Sequence, residues 1–281
     1  MNSKFFLTIF IILLNATFLY HYPEIVYGFK PTVSPDPIID GEKSSHKSNS
    51  GISIGADNID DHSVECGQVI TESITLSSNL NCNSDGLIIG ADRIKIDLNG
   101  FTIAGPGDKS NVVGIIFADN DGVVIQGPGT IKNFQAGISF SGGESGKASS
   151  VTVTENEIAL FGTGSKDLFI DNNLLLDNSI GIAIHSTINS KLNLNIIKSN
   201  ELAGITVVNS SGIEISGNII EGSVNGIFID GNSSENQITS NSVTQSRGVD
   251  LNNANGLEVD NNNNIIVDNT CNTSVPDGLC L

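Results

Sequence analysis

The sequence predicts an all-β solenoid, and three observations carry that expectation. From Gly204 the chain reads GITVVNSSGIEISGNIIEGSVN, GIFIDGNSSENQITSNSVTQSR and GVDLNNANGLEVDNNNNIIVDN, three stretches that begin at Gly204, Gly226 and Gly248, 22 residues apart. A period of that size is one turn of a repeat structure. Apolar and polar residues alternate with period two inside each stretch, as in Ile213-Glu214-Ile215, which selects strand over helix. Aromatic residues make up 5% of the chain, Trp is absent and Gly numbers 30, a composition suited to thin stacked layers. One elongated domain of about eight to nine coils is expected.

Taken in order, the chain opens with Lys4 and an apolar run from Phe5 to Leu14. That is the basic start and length of a secretory signal, and shorter than the roughly 20 residues of a spanning helix. Residues 1–28 are expected to be a signal peptide, with an uncleaved anchor as the alternative; Val26-Tyr27-Gly28 offers a cleavage point. Residues 29–62 carry Pro31, Pro35, Pro37 and a polar run from Gly41 to Ser50. With so little to bury they are expected to form a disordered tether. The solenoid is expected over 63–281.

Its entry unit runs from Cys66 to Leu76, with Ile74 and Leu76 alternating. Ile94-Lys95-Ile96-Asp97-Leu98-Asn99-Gly100 follows, and Asn99-Gly100 suits a turn that needs positive φ. Gly114-Ile115-Ile116-Phe117 and Gly137-Ile138-Ser139-Phe140 open the next two units. The middle reads as less regular: Gly142 to Ser150 as an insert, then a shortened unit from Gly162 or Gly164 to Asn178, before Gly181-Ile182-Ala183-Ile184 restores the spacing. A lip or notch is expected there, and loops on a rigid scaffold are where function collects. Inward positions of one coil are Ile205, Val207, Ile213, Ile215, Ile219 or Ile220, and the next Ile227. Asn156, Asn173, Asn218, Asn241 and Asn262 follow the second strand of their units, with position 195 or 196 out of phase by one. Stacked amides of this kind form a hydrogen-bonded ladder.

With its G-I-x-I strands and I-x-I-D-L-N-G opening, the chain resembles the right-handed parallel β-helix repeat family, the coil shared by pectate lyases, polygalacturonases, alginate epimerases and NosD-like periplasmic proteins. The resemblance implies the fold and is nearly silent on activity. It also directs attention to motifs that are missing. The adjacent aspartates, Gly-His-Gly and Arg-x-Lys of polygalacturonases are absent, and Arg93 and Arg247 are the only arginines. The Asp-Pro-His-Asp signature of the epimerases is absent too, since Asp36-Pro37 continues with Ile38. Copper handling of the NosD type lacks ligands, because Met1 is the only Met and His21, His46 and His62 precede the coils.

Cys66, Cys82, Cys271 and Cys280 lie in two pairs at the two ends of the repeat region. Three pairings are formally open; disulfide-held caps favour Cys66 with Cys82 and Cys271 with Cys280. Zinc is disfavoured, because neither pair has C-x-x-C spacing or a neighbouring His. Leader and cysteines together point to a secreted or cell-surface protein. The formal net charge of −18 and pI near 4.3 argue against nucleic acid and anionic membrane surfaces as partners, so a membrane is met only through the N-terminal segment. Polyanionic sugars are disfavoured less strongly, since calcium could bridge them, although no motif supports calcium and no other cofactor is expected.

Aligned on their glycines, the units give three outward columns. The first holds Ala118, Ser141, His185, Val208, Asp230 and Asn252; the second Lys95, Val124, Thr152, Phe169, Asn193, Glu214, Gln237 and Glu258; the third Asp97, Gln126, Thr154, Asp171, Asn195, Ser216, Thr239 and Asp260. Glycoside hydrolases need two carboxylates about 5 to 10 Å apart. Glu214 with Glu258, and His185 with Asp230, would fall near that distance, and Arg247 is the one basic candidate for lyase-type proton abstraction. Asn209, Asn232 and Asn272 begin N-glycosylation sequons. The expected function is binding, adhesion or a cell-envelope structural role towards carbohydrate. The alternative is a polysaccharide lyase, hydrolase or epimerase with its site on the outer face of the coils.

Overall fold

A computed structural model describes residues 64–253 and 263–281. The expected signal peptide and tether, and Glu258, Asp260 and Asn262, lie outside the described residues. Among the described residues there is no helix, and the strands pair in parallel in three sheets of ten, nine and eight strands. Each sheet takes one strand per coil, so neighbours in a sheet are one full turn apart in sequence.

One coil shows how residues select this path. Ile180–His185 lies in the first sheet, Lys191–Asn193 in the second and Ile196–Lys198 in the third. Ile182, Ile184, Leu192 and Ile197 point inward and are at most 1% exposed. In the three-residue strands of the second and third sheets the middle side chain faces in, which decides between Ile219 and Ile220: Ile220 is buried and Ile219 is outside, 45% exposed. The inward residues of all coils form one continuous core.

Buried amides close the corners. Asn173 donates through Nδ2 to Asn195 Oδ1 at 3.1 Å, Asn195 to Asn218 at 3.0 Å, and Asn218 to Asn241 and Asn241 to Asn269 at 2.9 Å each. Each acceptor oxygen also takes the backbone N–H of the preceding Asn, as from Asn173 to Asn195 at 3.0 Å. Asn195 is therefore in phase. Asn156 belongs to a separate ladder at the corner between the third and first sheets, through Asn178 and Asn200 at 3.1 and 3.2 Å. A shorter one joins Asn236 to Asn264. Each net bond contributes about 1 kcal/mol, and leaving a partner unmet costs more.

Two expectations about register are corrected. Ile227 pairs with Leu251, so the counterpart of Gly226 is Asp250, not Gly248, and that step is 24 residues. The middle is regular: Ile138, Leu160 and Ile182 are register partners at steps of 22. Ala159 stands there where other coils have Gly, and the supposed insert is an ordinary corner followed by the strand Lys147–Ser149. The true enlargements lie elsewhere. Leu87 pairs with Ile115, 28 residues on, because residues 105–112 lengthen the turn into the first sheet. Ile238 pairs with Ile266, again 28 on.

Both ends are cross-linked as expected, Cys66 to Cys82 and Cys271 to Cys280, with Cα separations of 5.5 and 5.1 Å.

Candidate functional site

The flanking residues of the three-residue strands of the second sheet point outward, so that sheet presents two side chains per coil. One column brings Lys147, Phe169, Lys191 and Glu214 into register; the other brings Ser149, Asp171, Asn193 and Ser216. The glycine-based columns had placed Thr152 and Asn193 in the first of these, and Thr154 and Asn195 in the second. Thr152 and Thr154 belong to the third sheet, and Asn195 is a buried ladder residue. The residues missed were Lys147 and Lys191; aligning the inward aliphatic residues, not the glycines, brings them into line.

This face is bound together by charge. Lys147 Nζ lies 3.2 Å from Asp171 Oδ1, Lys191 Nζ 2.8 Å from Glu214 Oε2, and, further along, Lys95 Nζ 2.9 Å from Asp97 Oδ2. Asn193 Nδ2 donates to Glu214 Oε1 at 3.4 Å, and Ser216 Oγ donates to Asn193 Oδ1 at 3.0 Å. The hydrogen bond from Lys191 holds the Glu214 carboxyl below its ordinary pKa against the opposing effect of burial, and Lys95 does the same for Asp97. Both are acceptors in the ionised state. Phe169 stands between the two lysines with 38% of its surface exposed. The arrangement offers one aromatic platform, flanked by fixed donors and acceptors that repeat at the strand spacing of about 4.8 Å.

The other candidates do not join this face. His185 ends a strand of the first sheet and Asp230 directly follows another, Asn225–Ile229, two coils on, about 10 Å along the axis. Asn252 lines up with Phe228 and not with Asp230. Asp230 Oδ1 accepts from the backbone N–H of Asn209 at 3.0 Å and from Ser233 Oγ, which makes it a corner cap. His185 is half-buried, and burial pushes its pKa below the ordinary 6.5 while Asp230 opposes the shift. Its Nδ1 has no hydrogen-bond partner among the described residues. The column through Glu214 continues to Gln237 and Ile265, so it brings no second carboxylate to that face on those coils. Arg247 donates to the backbone carbonyl of Glu201 at 2.6 Å, fastening coils 46 residues apart in sequence. Asn209, Asn232 and Asn272 are all exposed. A shallow groove at the corner between the first and second sheets is lined by Asp121, Glu144, Lys166, Ser186 and Ile188, with Lys166 and Glu144 paired at 3.2 Å. Among the described residues no group of three or more His, Cys, Asp or Glu is arranged to hold a metal. No helix there is long and apolar enough to cross a membrane.

One chain wound through three parallel sheets, with amide-lined corners and inward aliphatic stacks, defines a parallel β-solenoid. The family described as right handed beta helix region matches residues 85–243, and the chain belongs to it. Among solved structures, DFA-IIIase from Arthrobacter chlorophenolicus A6 in complex with DFA-III is 11% identical, with a TM-score of 0.42 over 70% of this chain and 57% of that one. The enzymatically active domain of bacteriophage CBA120 tailspike protein 2 is 13% identical, with a TM-score of 0.38 over 72% and 41%. The A-module of the mannuronan C-5 epimerase AlgE4 from Azotobacter vinelandii is 14% identical, with a TM-score of 0.24 over 61% and 69%. At such identities the likeness is one of fold alone, and this chain spans little more than half of the DFA-IIIase. No curated protein matches.

Proposed function

We propose that the protein is an exported β-helix that binds extended carbohydrate along the outer face of its second sheet, in an adhesive or cell-envelope role. The observation that carries this is Phe169 between Lys147 and Lys191, with Ser149, Asp171, Asn193 and Ser216 in register beside them. An aromatic ring packs against the apolar face of a sugar, while amides, hydroxyls and carboxylates fix its hydroxyl groups. Successive coils are spaced comparably to successive sugars of an extended glycan, so one chain can meet several coils. The lysines are neutralised by Asp171 and Glu214, which suits an uncharged glycan. Two disulfides behind an apolar leader suit an oxidising compartment outside the cytoplasm.

Binding is favoured over catalysis on this face by its charge state. A glycosidase needs one carboxyl whose pKa is raised so that it carries a proton. Glu214 and Asp97 are shifted the other way. A second reading, a polysaccharide lyase, hydrolase or epimerase, is favoured by His185, a half-buried neutral imidazole with an unpartnered ring nitrogen. A panel of polysaccharides separates the two, assayed for retention on insoluble glycan, for new reducing ends and for unsaturated uronate absorbance, with and without calcium. The expected result is retention without turnover, weakened about tenfold or more in Phe169→Ala, since central aromatic anchors dominate binding energy. Turnover that survives Phe169→Ala and disappears in His185→Ala would overturn the binding proposal in favour of the enzyme.

A further inference from the structure

The third sheet turns outward two columns of side chains that change character along the rod. One reads Thr102, Thr130 and Thr152, then Leu174, Ile196 and Ile219, and reaches Ser242. The other places Leu176, Lys198, Glu221 and Thr244 on the last four of those coils. Thr satisfies the fold at these positions in the earlier coils, so the aliphatic run is no requirement of folding. Strand propensity suits Ile there and does not call for Leu. At the corner that leads into this sheet, the residue with positive φ is Asn172, Leu194, Gly217 and Ser240 in successive coils. Asn and Gly adopt that conformation readily, whereas for a bulky Leu at φ 56° it is unfavourable. Leu194 is 59% exposed, Ile196 38% and Ile219 45%. Exposed aliphatic residues scattered singly are ordinary; three that adjoin on two neighbouring coils mark a contact surface. The charge of this face also departs from that of the chain. Against a net −18, the outward residues of its described strands include two lysines, Lys132 and Lys198, and one carboxylate, Glu221. Two acidic rods can approach here without setting carboxylate against carboxylate.

We propose that this face joins two copies of the chain, antiparallel, about a two-fold axis that runs along the strands between Ile196–Lys198 and Ile219–Glu221. Such an axis sets each of these two strands on the other strand of the second copy. Ile196 then packs on the partner's Ile219, Lys198 meets the partner's Glu221, and at the corner Leu194 meets the partner's Gly217, which has no side chain to obstruct it. Leu174 and Leu176 fall against small side chains, the partner's Ser242 and the partner's Thr244. Within one copy Lys198 Nζ lies 2.9 Å from Glu221 Oε2, with the two side chains 42% and 31% exposed, so each keeps surface for a second pairing. Across the axis the four charges alternate in sign. An axis along the rod would instead set the aliphatic column on the charged one, Ile196 on the partner's Lys198, and leave the charges unmatched. A contact of the two-fold kind closes on itself, so the pair does not grow further. Three strand residues span only about 10 Å, which puts the contact among weak and transient associations.

Sedimentation equilibrium of the purified protein tests this from about 1 μM to about 1 mM, the range of weak association. The mass is expected to rise with concentration towards that of a dimer and to stop there. Lys198→Glu and Glu221→Lys are each expected to weaken the pair about tenfold or more, with the circular dichroism spectrum unchanged, because like charges then face one another across the axis. An equimolar mixture of the two variants is expected to recover the dissociation constant of the parent, since in the mixed pair every charge again meets its opposite. Ile219→Asp is expected to abolish pairing, and Phe169→Ala, on another face, to leave it unchanged. A monomer at every concentration would overturn the proposal. So would a mass that climbs past the dimer, or a mixture that pairs no better than either variant alone.

Discussion

The outer faces of the first and second sheets are built from the same coils with the same parallel hydrogen bonding, and they have opposite chemistry. On the first, outward positions hold Ile116, Ile158, Phe161 and Phe228, all buried. On the second they hold lysines, carboxylates, amides and one exposed phenylalanine. Stability comes from residues common to both, the inward aliphatics and the corner amides. The exposed outward columns of the second sheet are left free of the folding requirement, so that face of the rod can take a task of its own.

Matched substitutions would sharpen this contrast most. Phe161→Ala is expected to cost about 3 kcal/mol in urea unfolding, the scale for a buried aromatic, and Phe169→Ala less than about 1 kcal/mol. Equal costs would break the distinction between the faces. Next comes the scaffold they share. Asn195→Ala removes the acceptor for the N–H and Nδ2 of Asn173 and the donor to Ile170, all buried, and is expected to cost about 2 kcal/mol.

Acid titration separates the faces by window. The pKa of His185 is lowered on folding, so the unfolded chain binds its proton first. Its contribution is full above about pH 6.5 and is lost as pH falls through the folded value. The pKa values of Glu214 and Asp97 are also lowered, and their contributions are full above the ordinary 4.5 and 3.8 and are lost below, through their folded values. The melting temperature of His185→Asn should therefore lack the decline that begins near pH 6.5 and keep the one that begins near pH 4.5. The smallest effect is expected for Lys191→Met. The ion pair it removes is partly exposed, so less than about 1 kcal/mol is lost, and added salt should narrow the difference further.

The fold was legible because its requirement is written at every turn: an inward aliphatic pair, a polar corner, an Asn. The register was less so. Gly is preferred at the start of the long strand because a side chain there would crowd both its own coil and the next; at Gly204 a Cβ would lie 2.4 Å from Ile220 Cγ2 and 2.7 Å from the carbonyl oxygen of Gly226. Ala159 and Asp250 nevertheless fill that position in their coils, so glycines such as Gly162 and Gly248 drew the alignment off by two or three residues. Outward columns depend entirely on register, and for that reason Lys147 and Lys191 were missed beside Phe169. The separate Asn ladders were hidden similarly, since Asn156 and Asn173 read alike in sequence and stand at different corners. Outward position alone also gave no sign that Phe161 is buried and Phe169 is not.

The disulfides at the two ends carry a consequence for assembly. A solenoid has a raw edge at top and bottom, where another rod could add strands and continue it into a fibre. Cys66–Cys82 cross-links the first described coil and Cys271–Cys280 the last. Mild reduction is therefore expected to loosen the two end coils and to raise end-to-end association, read as a higher mass in light scattering.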